Sequence, residues 1–305
     1  MRHFKSLLPM LAALVVLGVG LTATWWATKS INDGIDAQAR LQFKKELDSV
    51  KLGMQAHLEQ LVTLMQGVRG AFAASNDVNR DEFNLLVESL ELRTRYPSVA
   101  ALSYVARIPA AGLQSFVAER ESELPRYQFR YNKTPSSPVR DFDHFVVDYA
   151  EPVAARSGIG LEVSTHSGKL SAMDRAARSG TAVLTAPLTL GLDEKKSPAF
   201  GFFLPVYESG LVPFEPAERE RLLKGYVATA FTVQAFVDTA LKGQPLTIDF
   251  ELADPLATSE DGQQLGLLLY DRDNHLGGQL AATGNGYGRL LEERGQYFFG
   301  NRYFY

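Results

Sequence analysis

The amino-acid sequence predicts an α+β protein in which an N-terminal transmembrane helix and a long stalk helix precede two tandem antiparallel-sheet domains. Three observations predict this order. The chain of 305 residues begins with an uncharged apolar run, continues with apolar residues spaced by three and four positions, and then changes to short strand-like runs. Because few of these runs alternate with long helices, a doubly wound parallel sheet fits the pattern poorly.

The composition excludes several classes of protein and site. Hydrophobic residues make up 46% of the chain and charged residues 22%, a balance typical of folded rather than disordered proteins. The formal net charge of −4 leaves no basic surface for nucleic acid. The absence of cysteine excludes disulfides and thiolate metal sites, and the five histidines have no zinc-ligand spacing. We therefore expect no cofactor, no metal and no nucleic-acid partner.

Residues 7–27 are predicted to form the transmembrane helix. This run of 21 residues has no formal charge and is long enough to cross a bilayer core of about 30 Å. Arg2 and Lys5 precede it, which predicts that residues 1–6 stay in the cytoplasm and that the bulk of the chain is periplasmic, anchored in the inner membrane. A cleavable signal peptide and a buried core helix are the alternatives, but the run exceeds a usual signal core and has no clear cleavage site.

Residues 29–76 are predicted to form the stalk helix, in which apolar residues recur at alternating spacings of four and three residues. His57 occupies one position of this series. The apolar positions are Phe43, Leu47, Val50, Met54, Leu61, Leu64, Val68 and Ala71. Such a heptad pattern pairs two helices, so it predicts a homodimer through the stalk. The alternative is a stripe that packs against the chain's own domain. We expect pairing in the half near the membrane and packing in the C-terminal half.

Two sheet domains are predicted downstream, the first in residues 77–231 and the second, after a linker helix, in residues 232–305. Helical patterns cover residues 79–92, 169–179 and 233–241. Strand patterns cover residues 99–106, 127–131, 145–149, 182–190, 200–207, 225–231, 246–252, 265–270 and 296–305.

Several blocks of residues occur in an order that matches a known family. They are Tyr96–Ala110 (YPSVAALSYVARIPA), Phe116-Val117, Tyr149–Pro152 (YAEP), Ile159–Glu162 (IGLE), Ala176 with Gly180, Ala182–Leu190 (AVLTAPLTL), Gly201–Tyr207 (GFFLPVY) and Gly225–Phe231 (GYVATAF). On these blocks the chain resembles the CHASE domain, the extracytoplasmic sensor module of membrane histidine kinases and nucleotide cyclases. The resemblance implies two PAS-like sheets, one distal to the membrane and one proximal to it, and a role in sensing a small-molecule ligand.

The resemblance also implies a set of ligand-binding residues in the distal domain. In the related plant cytokinin receptors a carboxylate binds the ligand at the position that matches Glu162. The same comparison implies contacts from Leu184, Thr185, Phe202 and Leu204. The residues alone allow two interpretations of Glu162, a carboxylate turned into the sheet or a solvated loop acid.

Two departures from the family pattern argue against cytokinin as the ligand. The plant receptors have aspartate where this chain has Glu162, which is one methylene longer. Bacterial members have an arginine where this chain has Leu170, with Lys169 beside it.

Family members continue into a second span and a cytoplasmic output domain, such as a histidine kinase or a diguanylate cyclase or phosphodiesterase. This chain ends at Tyr305, so we expect a fragment of a longer receptor whose sensor region is not itself an enzyme. Two other functions stay open. One is a periplasmic hydrolase with the carboxylate pair Glu162 and Asp174, and the other is a purely structural dimerisation module.

Overall fold

A computed structural model describes residues 4–75, 78–131, 143–191, 196–254, 267–274, 297–299 and 302–304. Its helices are α1 (Phe4–Ala74), α2 (Arg80–Ser89), α3 (Leu92–Arg95), α4 (Leu113–Glu123), α5 (Ser167–Ser179), α6 (Pro216–Arg221) and α7 (Val233–Ala240). Its strands are β1 (Val99–Pro109), β2 (Asp143–Glu151), β3 (Val183–Leu184), β4 (Leu188–Gly191), β5 (Lys196–Tyr207), β6 (Leu223–Thr232), β7 (Glu251–Asp254), β8 (Leu267–Asp271), β9 (Tyr297–Phe299) and β10 (Arg302–Phe304). The predicted α+β class is confirmed.

Contacts within the chain divide it into two units, which are described separately. The first contains the described residues up to Val50 together with Leu246–Ile248, and the second begins at Lys51. In the described residues, one helix of the first unit is long and apolar enough to cross a membrane, and its apolar window is not buried. This helix, α1, continues without a break past the predicted membrane boundary at residues 27–29.

Glu46 joins α1 to Leu246–Ile248 within the first unit. Its carboxylate accepts hydrogen bonds from the backbone N–H groups of Thr247 and Ile248, at 2.6 and 3.1 Å. It also accepts one from the side chain of Gln42 at 2.8 Å. These hydrogen bonds, with that of Gln42 the strongest influence, lower the pKa of Glu46 to about 2.

The second unit contains a six-stranded antiparallel sheet with strand order β2-β1-β6-β5-β3, in which β4 also pairs with β5. Leu184, Phe202 and Thr229 are neighbours across three strands, so their side chains share one face. The Thr229 hydroxyl donates to the sulfur of Met65 in α1 at 3.7 Å. This face of the sheet therefore packs against α1.

The opposite face of the sheet packs against α5. Val183, Phe203 and Ala228 are the sequence neighbours of Leu184, Phe202 and Thr229, so they point to the opposite face. They form a buried cluster with Met173 of α5. Because successive side chains in a strand point to opposite faces, the two helices cover opposite sides of the sheet. α5 ends at Gly180, whose φ of +74° suits glycine, so the predicted helix and its stop are confirmed.

The C-terminal half of α1 docks on its own domain, as predicted. From Met54 onward its buried side chains are Met54, His57, Leu58, Leu61, Leu64, Met65, Val68 and Phe72. Gly53 marks a close approach, since a Cβ there would lie 2.9 Å from the carbonyl oxygen of Ala240 at the end of α7. Pairing of the other half of α1 with a second chain stays a prediction.

Three predicted strands differ from the structure. Residues 127–131 are not a strand; Arg130 makes a single bridge to Leu161. The predicted strand 182–190 is divided into β3 and β4, because Pro187 between them has no N–H to donate. The predicted strand 246–252 begins only at Glu251, and its earlier residues bond the Glu46 carboxylate instead.

The second predicted domain is described in part. β7 and β8 form one antiparallel pair, and β9 and β10 form another. Much of residues 255–305 lies outside the described ranges, including the first part of the predicted strand 265–270. The boundaries of the predicted domains therefore stay predictions.

Candidate functional site

Glu162 lies in a segment that runs along the edge of β2. Val163 donates its N–H to the carbonyl of Phe145 at 2.9 Å, and Glu162 forms an antiparallel bridge with Val146. Gly160 begins the segment with a φ of +83°, and a Cβ there would lie 2.3 Å from the Gln128 carbonyl oxygen. Only glycine fits this turn, which brings the next residues onto the sheet edge.

The Glu162 side chain is buried, with 1% of its surface exposed, so it is not a solvated loop acid. One carboxylate oxygen, Oε1, accepts from the backbone N–H groups of Phe145 and Ser164, each at 3.2 Å, and from the Ser164 hydroxyl. The other, Oε2, accepts from the N–H of Thr165 at 3.0 Å. The carboxylate therefore holds its own loop against β2, a role that the sequence analysis did not predict.

The charge of Glu162 influences two titratable side chains. Burial lowers the pKa of Lys169, and the attraction of Glu162 opposes that shift. Burial raises the pKa of Tyr131, and repulsion between the phenolate and Glu162 raises it further. Lys169 is in the first turn of α5, whereas Tyr131 follows the Arg130 bridge. The Glu162 carboxylate thus attracts the ammonium group of Lys169, which lies in the first turn of α5.

His166 completes the group at the start of α5. It occupies the N-cap position, but its side chain makes no capping hydrogen bond. Its Nδ1 atom is buried and has no hydrogen-bond partner among the described residues. Burial lowers the pKa of His166, the nearby charge of Lys169 lowers it further, and the residue's own backbone opposes these shifts. We call Tyr131, Glu162, His166 and Lys169 the polar cluster.

The polar cluster was only partly predicted. Glu162 was a candidate, and Lys169 was noted as a neighbour of a family position, but His166 and Tyr131 were not. A sequence signal existed, because Glu162, His166 and Lys169 fall within eight residues at helical spacing. Lone polar residues of this kind are usually solvated, so the spacing alone did not identify a site.

The other sequence-predicted residues do not form one group with Glu162. Leu184 and Phe202 share a face of the sheet with Thr229, whose hydroxyl donates to Met65 of α1. They therefore lie on the face that packs against α1. Leu204 and Tyr104 both pair with Val227, so their side chains lie on the same face. The Tyr104 ring stacks on Phe72 of α1 with the ring centroids 4.3 Å apart, so Leu204 also faces α1. The structure places these three apolar residues on the side of the sheet opposite to α5.

Thr185 follows β3 and is completely buried. Its N–H donates to the carbonyl of Gly201 at 2.8 Å, and its hydroxyl accepts from the Gly201 N–H at 3.0 Å. Thr185 thereby continues the pairing of β3 with β5 after the strand has ended. A Cβ at Gly201 would lie 3.5 Å from its methyl group.

A small apolar cavity lies on the α1 side of the sheet. Its accessible volume is about 30 Å³. The lining residues are all apolar: Met54, Leu58, Leu184, Phe200, Phe231, Val233, Phe236, Leu252 and Leu269. A space of this size accommodates a molecule no larger than one or two waters, and it has no polar group to orient a ligand. It is too small for a metabolite.

Among the described residues, no group of three or more histidine, aspartate or glutamate side chains is arranged to hold a metal ion. Within the polar cluster the Glu162 carboxylate is engaged by backbone N–H groups.

Comparison with known protein families matches residues 76–267 to the CHASE domain. No curated protein matches the chain. Among solved structures, the chain is similar to the ligand-binding domain of the Pseudomonas aeruginosa PAO1 amino acid chemoreceptor PctC in complex with GABA. The identity is 11% and the TM-score 0.41, and the similarity covers 86% of this chain and 87% of that one.

Two further solved structures are similar to the chain. One is the periplasmic sensory domain of the Campylobacter jejuni chemoreceptor Tlp1, with 11% identity, a TM-score of 0.40 and coverage of 75% of this chain and 70% of that one. The other is an extracellular ligand binding receptor from Desulfohalobium retbaense DSM5692, with 12% identity and a TM-score of 0.39. The similarity covers 75% of this chain but 32% of that receptor, so the chain spans about a third of its length.

Proposed function

Because the chain belongs to the CHASE domain family, we propose that it is the ligand-sensing extracytoplasmic region of a membrane receptor. The family match supports the sensor role, and the apolar N-terminal part of α1 supports attachment to a membrane. In this proposal the membrane is the inner membrane and the sheet domain lies in the periplasm. The output domain belongs to a longer receptor.

The ligand is a small molecule that binds at the polar cluster, beside the first turn of α5. The observation that carries this proposal is the buried His166 Nδ1, which has no partner in the described part of the chain. A buried polar atom without a partner costs about 1–3 kcal/mol, which a ligand atom would recover. Lys169 and Glu162 supply charge beside it.

Lys169 predicts the chemical class of the ligand. The Glu162 carboxylate accepts its hydrogen bonds from backbone N–H groups and from Ser164, so we expect it not to contact the ligand directly. Its negative charge balances the positive charge of Lys169. The ammonium group, at the positive end of the α5 dipole, suits an anionic group such as a carboxylate. We therefore expect an anionic ligand, with Thr185 near the site and Glu162 as the residue that positions the loop.

The three apolar candidates have a different role in this proposal. Leu184, Phe202 and Leu204 transmit the ligand signal, because they lie between the sheet and α1. Binding beside α5 shifts the sheet, and this row of side chains passes the shift to the stalk. The energy available is the difference in ligand affinity between the two arrangements, typically about 1–3 kcal/mol.

A homodimer through the stalk completes the proposed receptor. Ile31, Ile35 and Leu41 of α1 are each about 60% exposed, which leaves apolar surface for a second copy. A paired stalk would pass a displacement to two membrane spans together.

A thermal-shift screen of the full chain in detergent tests the ligand site. We expect a small carboxylate-bearing metabolite to raise the melting temperature in a saturable way, and Lys169→Gln to abolish the shift. Lys242→Gln removes an exposed lysine at the end of α7 and is the matched control. A shift that survives Lys169→Gln, or a full metabolite panel that gives none, contradicts the proposed site.

The same screen separates the two other functions. A hydrolase with Glu162 and Asp174 would consume the stabilising compound, so product formation detected by chromatography would favour it. A purely structural module would respond to no compound. The engagement of Glu162 with backbone N–H groups is why we favour sensing over hydrolysis.

A further inference from the structure

The loop that joins β5 to α6 presents apolar side chains to solvent. Phe214 is 87% exposed, Leu211 77% and Val212 39%. The loop lies outside the polar cluster, and the proposed ligand site does not use it. Single exposed apolar residues are common on protein surfaces, but three within four positions form a patch that calls for an explanation.

The backbone of this loop is held in place by one guanidinium group. Arg219 Nε donates to the carbonyl of Pro213 at 2.7 Å, and Nη2 donates to that of Phe214 at 2.9 Å. Its Nη1 donates to the carbonyl of Arg178 at 2.6 Å, which ties the loop to the end of α5. Phe214 is therefore presented on an ordered backbone, and a partner would lose little conformational entropy on binding it.

The loop is also anchored on α1. Gly210, with a φ of +72°, packs closely against Ala73, since a Cβ there would lie 3.0 Å from the Ala73 carbonyl oxygen. Ala73 is near the C-terminal end of α1. The backbone of the apolar loop is thus held against the C-terminal end of α1.

The charges around the patch indicate the kind of partner. Glu208, Glu215 and Glu218 are exposed on either side of it. Glu220 is paired with Arg178 at 2.9 Å, and the Arg219 guanidinium is turned to backbone carbonyls. Within the described part of the chain, the carboxylates of Glu208, Glu215 and Glu218 have no ion-pair partner, and they outnumber the exposed cation of α6, Arg221. A second copy of the chain would bring like charges together, whereas a basic partner would be attracted.

We propose that the β5–α6 loop is a docking surface for a soluble protein partner that has an apolar pocket bordered by basic residues. Phe214 is the anchor that enters the pocket, and Leu211 and Val212 cover its edge. A central aromatic anchor with a polar border is the usual arrangement of binding energy in protein interfaces. The surface adds a second input to the receptor, separate from the ligand site.

Site-specific crosslinking in the full membrane-bound chain tests this surface. A photo-reactive phenylalanine analogue replaces Phe214, and in the control it replaces Leu85, an apolar residue of α2 that is 66% exposed. We expect one soluble protein to be crosslinked from position 214 and not from position 85. That protein, once identified and purified, should bind the purified full chain.

The binding measurement supplies the decisive comparison. We expect Phe214→Ser to weaken binding at least about tenfold without lowering the melting temperature, while Leu85→Ser leaves both unchanged. Raising the salt concentration from about 50 mM to about 500 mM should weaken binding as well. Crosslinking to a second copy or to lipid, equal crosslinking from both positions, or binding insensitive to Phe214→Ser would overturn the proposal.

Discussion

Arg120 and Asp148 form a two-pronged ion pair between α4 and β2. Arg120 Nε donates to Oδ1 of Asp148 at 2.7 Å, and Nη2 donates to Oδ2 at 3.0 Å. The Asp148 side chain is 3% exposed and that of Arg120 12%. Arg80 of α2 adds a longer contact to Oδ1 at 3.4 Å. One buried carboxylate therefore fastens two helices to the edge strand that also carries the Glu162 loop.

Removal of one partner of this pair should be strongly destabilising. We expect Arg120→Met to lower the free energy of unfolding by about 3 kcal/mol, because the buried carboxylate then keeps, among the described residues, only the longer Arg80 contact. The exposed pair of Arg95 and Glu91, at 2.8 Å, is the control, and Arg95→Met should cost less than about 1 kcal/mol. Chemical denaturation measures both. Equal losses in the two variants would show that the burial of the pair is unimportant.

Glu162 should matter for folding as well as for ligand binding. Glu162→Ala leaves the backbone N–H groups of Phe145, Ser164 and Thr165 without their acceptor, and we expect it to lower the free energy of unfolding by about 3 kcal/mol. Glu121→Ala removes an exposed carboxylate of α4 and should have no measurable effect. Thermal denaturation of the unliganded protein is the measurement. An unliganded Glu162→Ala protein as stable as wild type would rule out the loop-holding role.

The buried His57 predicts a dependence of stability on pH. Burial lowers the pKa of His57, whose Nε2 lies 2.8 Å from the Ser98 hydroxyl and whose Nδ1 lies 3.1 Å from the Gln60 side chain. In the pH range between its lowered folded pKa and the unfolded value of about 6.5, the unfolded chain binds more protons than the folded one. Stability should therefore fall as the pH drops below about 6.5, by at most about 1.4 kcal/mol per pH unit for this residue.

Substitution of His57 tests that dependence. Because the lowered pKa of His166 acts in the same direction, the two histidines are compared separately as His57→Asn and His166→Asn. Each variant should have a smaller slope of melting temperature against pH between about pH 7.5 and 5 than the wild type. Two variants with the wild-type slope would locate the acid sensitivity elsewhere.

Two glycines should respond in opposite ways to alanine. A Cβ at Gly225 would lie 2.3 Å from the Val105 carbonyl oxygen, so Gly225→Ala should separate β1 from β6 and cost more than about 2 kcal/mol. A Cβ at Gly67 meets nothing within 4 Å, and Gly67→Ala should stabilise the α1 helix by about 0.5–1 kcal/mol. Denaturation midpoints of the two variants should shift in opposite directions. A loss of stability in Gly67→Ala would instead indicate that this face of α1 is covered.

Much of the order of elements could be predicted from local sequence. The helix 169–179 and its stop at Gly180 were predicted because spacing and a C-terminal glycine are properties of neighbouring residues. The strands 200–207 and 225–231 were predicted for the same reason, and both are present with extended bounds. The predicted strand 127–131 failed because apolar alternation does not supply a partner strand.

The candidate site could be predicted only in part. Spacing by two places Phe202 and Leu204 on one face of a strand, but it does not say which helix covers that face. That choice depends on contacts such as Thr229 with Met65, which join residues 164 positions apart. The partners of Glu162 were unpredictable for a similar reason, since Phe145 is 17 positions away and meets it only when the loop folds back.

The sequence by itself determined the apolar N-terminal helix, the order of helices and strands, and membership of the sensor family, because these are recorded in local periodicity and in blocks of neighbouring residues. The tertiary structure alone decided which face of the sheet meets α1 and that Glu162 holds its own loop. It also decided that the Nδ1 atom of His166 is buried without a partner in the described residues. The physical reason is that burial and hydrogen bonding depend on which distant segments meet, and a side chain has no partner until they do.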